Sequence, residues 1–138
     1  MEKALLPIAE YRKIMRKMPI LTIDAIVVHK GKYLLLKRKF KPLRGRYWLP
    51  GGRVFRGETL QEAVIRKIRE EIGIDVRIIS LAGFHDYIYK ENEFNLDYVH
   101  TVSAVFFVSP LSDEVDIDYQ STDYIWSETL PEELNLIR

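Results

Sequence analysis

One stretch constrains this chain more than any other: GGRVFRGETLQEAVIRKIREEIGI, from Gly51 to Ile74. A glycine pair opens a turn, and an amphipathic helix follows. Thr59 is an N-cap and Glu62 lies three residues on, the pattern of a capping box. Val64, Ile65, Ile68 and Ile72 recur at helical spacing and predict a buried stripe. Gly73 stands where a left-handed residue ends a helix. On a wheel of about 100° per residue with Arg66 at zero, Glu70 falls at about 40°, Lys67 at about 100° and Glu71 at about 140°. The four share one strip, and Glu71 borders the apolar stripe.

The rest of the chain supplies what such a helix covers. Pro7 to Met18 reads as a short helix ended by Pro19. LTIDAIVVH and KYLLLKRK read as a β-hairpin turned at Gly31. KPLRGRYWLPGG reads as a loop. VRIISLAGF and HTVSAVFFV read as strands joined by a polar loop, YKENEFNLD, over a site. TDYIWSE reads as a last strand before a terminal helix opened by Pro131. The expectation is an α/β (α+β) fold with a mixed sheet and helices on both faces. All 138 residues are expected to form a single domain, with residues 1–19 as an N-terminal helical segment.

The charged strip has two readings. Arg66–Glu70 and Lys67–Glu71 are i,i+4 pairs of a solvated face, each contributing a few tenths of a kcal/mol. Alternatively, two adjacent carboxylates beside a glycine turn hold a hard divalent cation, and nearby arginines grip phosphate oxygens. Composition narrows the classes. A net charge of +1 leaves no basic footprint for nucleic acid, and the absence of cysteine excludes disulfides and thiolate zinc sites. No apolar run approaches a membrane span. The N-terminus lacks a signal-peptide core, and a cytoplasmic location is the expectation.

Further residues carry weaker signals. Asp24 stands inside an apolar strand, where a carboxylate needs a polar partner, and Arg38 on the next strand is the candidate. Trp48 and Tyr47 either stack on a ligand or pack in the core. Trp126 is expected in the core. His100 is expected to be a satisfied structural histidine. His85 and Tyr87 are expected in solvent unless they reach substrate.

The full stretch resembles the Nudix box, with Gly52, Glu58, Arg66, Ile68, Glu70, Glu71, Gly73 and Ile74 in register. The resemblance implies a Nudix-like α/β/α sandwich that hydrolyses nucleoside diphosphates linked to another group with Mg2+ or Mn2+. It assigns Glu70 and Glu71 as metal ligands, Gly51 as a carbonyl ligand and Glu58 as support for the loop. One position departs: Lys67 replaces a box glutamate, and a protonated lysine cannot ligate a cation.

The GDP-mannose mannosyl hydrolase branch also lacks that glutamate, and the chain is similar to it in PILTID, Lys37-Arg38, YWLPGGR and the region from Gln120 to Trp126. The branch implies water attack at a sugar carbon of GDP-mannose or a similar nucleotide sugar, with release of the nucleoside diphosphate. It would place Gly51, Glu71 and Gln120 on the metal, Arg38, Arg53 and Arg66 on phosphate or leaving group, and Asp24 near the sugar. Ser121 occupies the position of the branch's histidine base and is a poor base itself. Asp24, Asp123, His85, His100, Glu91 and Glu93 are the alternatives. Two other readings stay open: a pyrophosphohydrolase that attacks phosphorus, and a non-catalytic nucleotide-binding module. A homodimer is expected by resemblance.

Overall fold

The computed structural model describes residues 6–112 and 114–138. In chain order the elements are α1 (Ile8–Lys17), β1 (Ile20–His29), β2 (Lys32–Arg38), β3 (Tyr47–Trp48), β4 (Gly51–Arg53), α2 (Leu60–Ile72), β5 (Val76–Tyr89), β6 (Val99–Pro110) and β7 (Ser121–Ser127). The result is the mixed α+β fold expected, a seven-stranded sheet with two helices.

The sheet is ordered β3-β2-β1-β6-β5, with β4 added to β1 and β7 to β2. β1 runs parallel to β6 from Ile20↔Thr101 to Val27↔Val108, and every other pairing is antiparallel. β1 and β2 form the expected hairpin, turned by Lys30 and Gly31 at positive φ. They pair only at Val28↔Tyr33 and His29↔Lys32. Further along, β1 takes β4 as its neighbour instead, at Asp24↔Gly51. The splayed hairpin is what seats the glycine turn beside Asp24.

Alternation along the strands builds two layers. Ile23, Ala25, Val27, Leu34 and Leu36 pack with Val64, Ile68 and Ile72 of α2. Ile26, Leu35 and Val105 point to the other face, where Trp48, Leu130, Leu134 and Leu136 cover them. α1 closes the end of the sheet, with Met15 against Ile20 and Val99. α2 has the capping box at Thr59–Glu62 and a left-handed Gly73, as its sequence predicts. Ile65 is only partly buried.

Three expectations need correction. The segment after Trp126 forms no terminal helix: Pro131 opens a single turn, closed by Leu134 N–H on the Pro131 carbonyl. Ile137 then pairs with Phe84 at 2.8 and 2.6 Å. Leu134 and Leu136 alternate as in a strand, and covering the exposed sheet face outweighs the local helix signal. KPLRGRYWLPGG is not all loop, since it contributes β3 and β4. β5 also runs on through Tyr89, well past the predicted end.

Candidate active site

Beneath the glycine turn, α2 and the start of β7 bring four functional groups together. Glu71 is 5% exposed despite its charge. Its Oε1 accepts a hydrogen bond from Gly51 N–H at 3.3 Å and lies 3.5 Å from the Lys67 ammonium. That ammonium also donates to Gln120 Oε1 at 3.0 Å. Gln120 is held in turn by Asp118, through its backbone N–H at 3.0 Å and its side-chain amide at 2.9 Å. Burial pushes the Glu71 carboxyl up to about 7, Asp118 and Asp24 add to this, and Lys67 and Gly51 N–H oppose it.

Space requires the glycine at position 51, and a side chain at position 52 would displace Lys67. A Cβ on Gly51 would collide with the Asp24 carboxylate and the Ile23 carbonyl. A Cβ on Gly52 would lie 2.5 Å from Lys67 Cε and 3.1 Å from its Cδ. The Lys67 stem therefore runs beneath Gly52, with the side chain only 12% exposed.

Asp24 is part-buried on β1, and its Oδ2 accepts from Ser103 Oγ at 2.6 Å. Ser103 on β6 is thus the hydrogen-bond partner; Arg38 acts on Asp24 only through its charge. Burial raises the Asp24 carboxyl to about 7 against the pull of Ser103 and Arg38. Arg38 itself is anchored by its Nε on the Pro42 carbonyl at 2.6 Å.

A cleft of about 590 Å³ opens above this floor. Asp24, Arg38, Arg53, Gly51 and Gln120 line it together with the rings of Tyr11, Trp48, Tyr87, Tyr89 and Phe94. Rings of His85, Tyr87 and Tyr89 stack at 5.7 and 5.3 Å. His85 is buried, not solvated as expected: its Nδ1 faces the Asn135 backbone, and Trp48 packs 5.9 Å away. Tyr87 also lines the cleft, so the solvent expectation fails for both. His100 pairs with Asp86 at 2.5 Å, the structural role expected. Trp126 packs against the core. A smaller cavity, lined by Arg38, Gly51, Glu71, Gln120 and Ser121, joins the Ser121 position to the same floor.

Two residues of the predicted site sit elsewhere. Arg66 and Glu70 line neither cavity among the described residues. The Arg66 guanidinium donates to Glu58 Oε2 at 2.5 Å, Glu58 Oε1 at 3.0 Å, Glu70 Oε2 at 3.2 Å and the Arg53 carbonyl at 3.0 Å. It also lies 3.8 Å over the Phe55 ring. Glu58 accepts in addition from Phe55 N–H at 2.8 Å. Arg66 and Glu58 thus clamp the loop onto α2, the support role expected for Glu58. Arg53 lies over Tyr11 and Phe55 at 5.0 and 5.2 Å.

The donor set has the chemistry of a hard-cation site in part. A carboxylate, an amide oxygen and a glycine carbonyl are suitable ligand types. Yet Lys67 already satisfies Glu71 and Gln120, Glu70 is turned to Arg66, and Gly51 meets Glu71 through its N–H. Among the described residues no three Asp, Glu, His or Cys side chains converge on a point. A divalent ion at about 4 Å from the ammonium would be opposed by about 8 kcal/mol at an effective dielectric of about 20. The arrangement therefore does not fit a cation held by all four predicted ligands.

A glutamate-bearing helix under a glycine turn, facing a cleft lined by cationic and aromatic side chains, suits a hydrolase of phosphate-linked compounds. Comparison with known proteins agrees. The NUDIX domain profile matches residues 18–129. The low-salt glycan biosynthesis protein Agl8 of Haloferax volcanii is 34% identical over 116 residues, covering 83% of this chain and 74% of that protein. An ADP-ribose pyrophosphatase of Methanocaldococcus jannaschii is 36% identical over 97 residues, 70% of this chain and 54% of that protein. The crystal structure of a MutT NUDIX hydrolase from Burkholderia pseudomallei superposes with a TM-score of 0.73 at 31% identity, covering 86% of this chain and 92% of that one. The chain belongs to the Nudix hydrolase family.

Sequence reasoning missed Asp118, Ser103 and the place of Tyr11, Tyr89 and Phe94 in the cleft, while Trp48 and Tyr87 were candidates. Asp118 stood two residues before Gln120, a spacing that permits the contact without announcing it. Ser103 faces Asp24 only through the parallel β1–β6 pairing, which leaves no local signal.

Proposed function

We propose that this Nudix hydrolase cleaves a nucleoside diphosphate sugar, GDP-mannose or a similar compound, and releases the nucleoside diphosphate and free sugar. The observation that carries the reading is a cleft lined by both arginines and aromatic rings. Aromatic rings suit a nucleobase, and Arg38 and Arg53 suit a diphosphate. Asp24 lines the same cleft beside Gly51, and in this reading the reacting end of the substrate sits there. The likeness to a glycan biosynthesis protein also supports a sugar-bearing substrate.

In this reading Asp24 takes a proton from water as the water oxygen bonds to the anomeric carbon. The carbon–oxygen bond to the diphosphate breaks, and the leaving group's new charge falls beside Arg38 and Arg53. Ser103 holds the Asp24 carboxylate in place. Arg66 acts as a positioning residue through Glu58. Nudix hydrolases generally use divalent metals. Here a magnesium or manganese ion would enter on the diphosphate as part of the substrate complex, a common mode for magnesium.

A second reading, attack at phosphorus, is favoured by Ser121 in place of a histidine and by the ADP-ribose pyrophosphatase and 8-oxo-dGTP diphosphatase names of other relatives. Homodimerisation stays a proposal, supported by exposed Ile79, Leu81 and Ile88 on the edge strand β5; light scattering reading a clean monomer would remove it. The direct test of function is incubation with a panel of nucleotide sugars in Mg2+. Turnover of GDP-mannose or a close analogue, lost in Asp24→Asn, supports the proposal. Turnover confined to nucleoside triphosphates overturns it.

A further inference from the structure

We propose that Lys67 is a tethered cation that occupies the place of a resident divalent ion, so that the protein alone does not bind one at Glu71 and Gln120. Three independent observations converge. The ammonium bridges two of the oxygen groups a cation would take, at 3.5 Å from Glu71 Oε1 and 3.0 Å from Gln120 Oε1. The side chain is 12% exposed and not a mobile surface lysine. Its stem passes under Gly52, where a Cβ would lie 2.5 Å from Lys67 Cε.

The charge balance explains why the substitution is tolerated. Glu71 is buried and has Asp118 and Asp24 near it, which is a costly concentration of negative charge without a counter-ion. A glutamate at position 67 would add another carboxylate and call for a divalent ion. A lysine supplies a fixed positive charge and removes that demand. An ammonium carries three donors and no acceptor, so it cannot itself ligate a metal, and its charge opposes a cation at the oxygens it binds.

The occupancy also fixes the side-chain amide of Gln120. With Lys67 donating to its Oε1, its Nε2 turns to Asp118 Oδ2 at 2.9 Å. Both ends of the amide are then hydrogen-bonded within the protein, and the ammonium charge lies 3.0 Å from the oxygen a cation would take.

The test uses Mn2+ alone, without substrate, so it is independent of which nucleotide the enzyme hydrolyses. Free Mn2+ is followed by room-temperature electron paramagnetic resonance, and the heat of binding by calorimetry. The wild-type protein should show no stoichiometric binding up to about 1 mM Mn2+, since the ammonium repels it. Lys67→Glu should gain one site, with affinity raised roughly tenfold or more. Lys67→Gln removes only the charge and keeps a similar length; it should gain a weaker site, and it serves if the glutamate variant does not fold. Thermal melts in the presence of Mn2+ should rise for both variants and stay flat for the wild type. Tight one-to-one Mn2+ binding by the wild type overturns the proposal. Folded variants that still bind no Mn2+ overturn it as well, because position 67 would then not guard a cation site.

Discussion

Replacing Arg66 by Met separates a clamp from a phosphate contact. The Glu58 carboxylate is fully enclosed, with a side-chain exposure of 0%, and receives three hydrogen bonds from Arg66 and Phe55. Burial pushes its carboxyl up, but the Arg66 and Phe55 hydrogen bonds and the Arg66 charge outweigh that and hold it below the ordinary range. Removing the guanidinium leaves this buried charge with one backbone N–H. Breaking a buried pair from one side costs about 3–5 kcal/mol. Arg66 keeps 17% exposure, so water recovers part of the loss, and about 3 kcal/mol is the expected cost. That is a large share of a typical domain stability of about 5–15 kcal/mol. Urea unfolding of Arg66→Met, Glu58→Gln and the double variant forms a cycle. The double variant should be more stable than the sum of the singles by about 2 kcal/mol, because the neutral amide no longer needs the partner. If Arg66→Met stays within about 1 kcal/mol of wild type while activity vanishes, the clamp is refuted and Arg66 acts on substrate instead.

Three further outcomes follow from single groups. Asp24 has its carboxyl raised to about 7 in the folded protein, against about 3.9 when unfolded. A raised acid binds its proton more tightly when folded, so this contribution is complete at low pH and is lost as pH rises from about 4 to about 7. Asp24→Asn removes it; the variant's stability relative to wild type should therefore climb by on the order of 2 kcal/mol between about pH 5 and about pH 8 in thermal melts, and a flat difference would contradict the assignment. Thr59→Ala deletes the cap that receives Glu62 N–H at 3.1 Å and should cost about 1 kcal/mol in urea unfolding, with turnover retained by the folded fraction. Glu71→Gln removes the buried carboxylate paired with the Lys67 ammonium at 3.5 Å and should cost on the order of 3 kcal/mol in urea unfolding; an unchanged unfolding midpoint would contradict the pairing.

The Gly51–Ile74 stretch told most of its own story, because its information is local. A capping box, a 3.6-residue apolar stripe and a terminal glycine act within a few residues of each other, and all three are in place. The site was legible as a set of residue types but less so as a set of contacts. Gln120, Gly51, Asp24, Arg38 and Arg53 line one cleft, and Glu71 lines the smaller cavity that shares Arg38, Gly51 and Gln120 with it. Arg66 shares the helix strip with Glu71 yet turns to Glu58, and Glu70 turns to Arg66, because the clamp is formed with a loop whose path the helix wheel does not contain. Gln120 reaches Lys67 across 53 residues, and Ser103 reaches Asp24 across 79; such pairings depend on strand order, which no local pattern states. The C-terminal segment misled for a related reason. Pro131 followed by Glu132 and Glu133 starts like a helix, but Leu134 and Leu136 are needed on the sheet face.

The measurement that bears most directly on the proposed reaction is product analysis after hydrolysis of GDP-mannose in ¹⁸O-water. Attack at the sugar carbon predicts unlabelled GDP and mannose carrying the label at its anomeric oxygen. GMP with mannose phosphate, and the label on a phosphate, would contradict it.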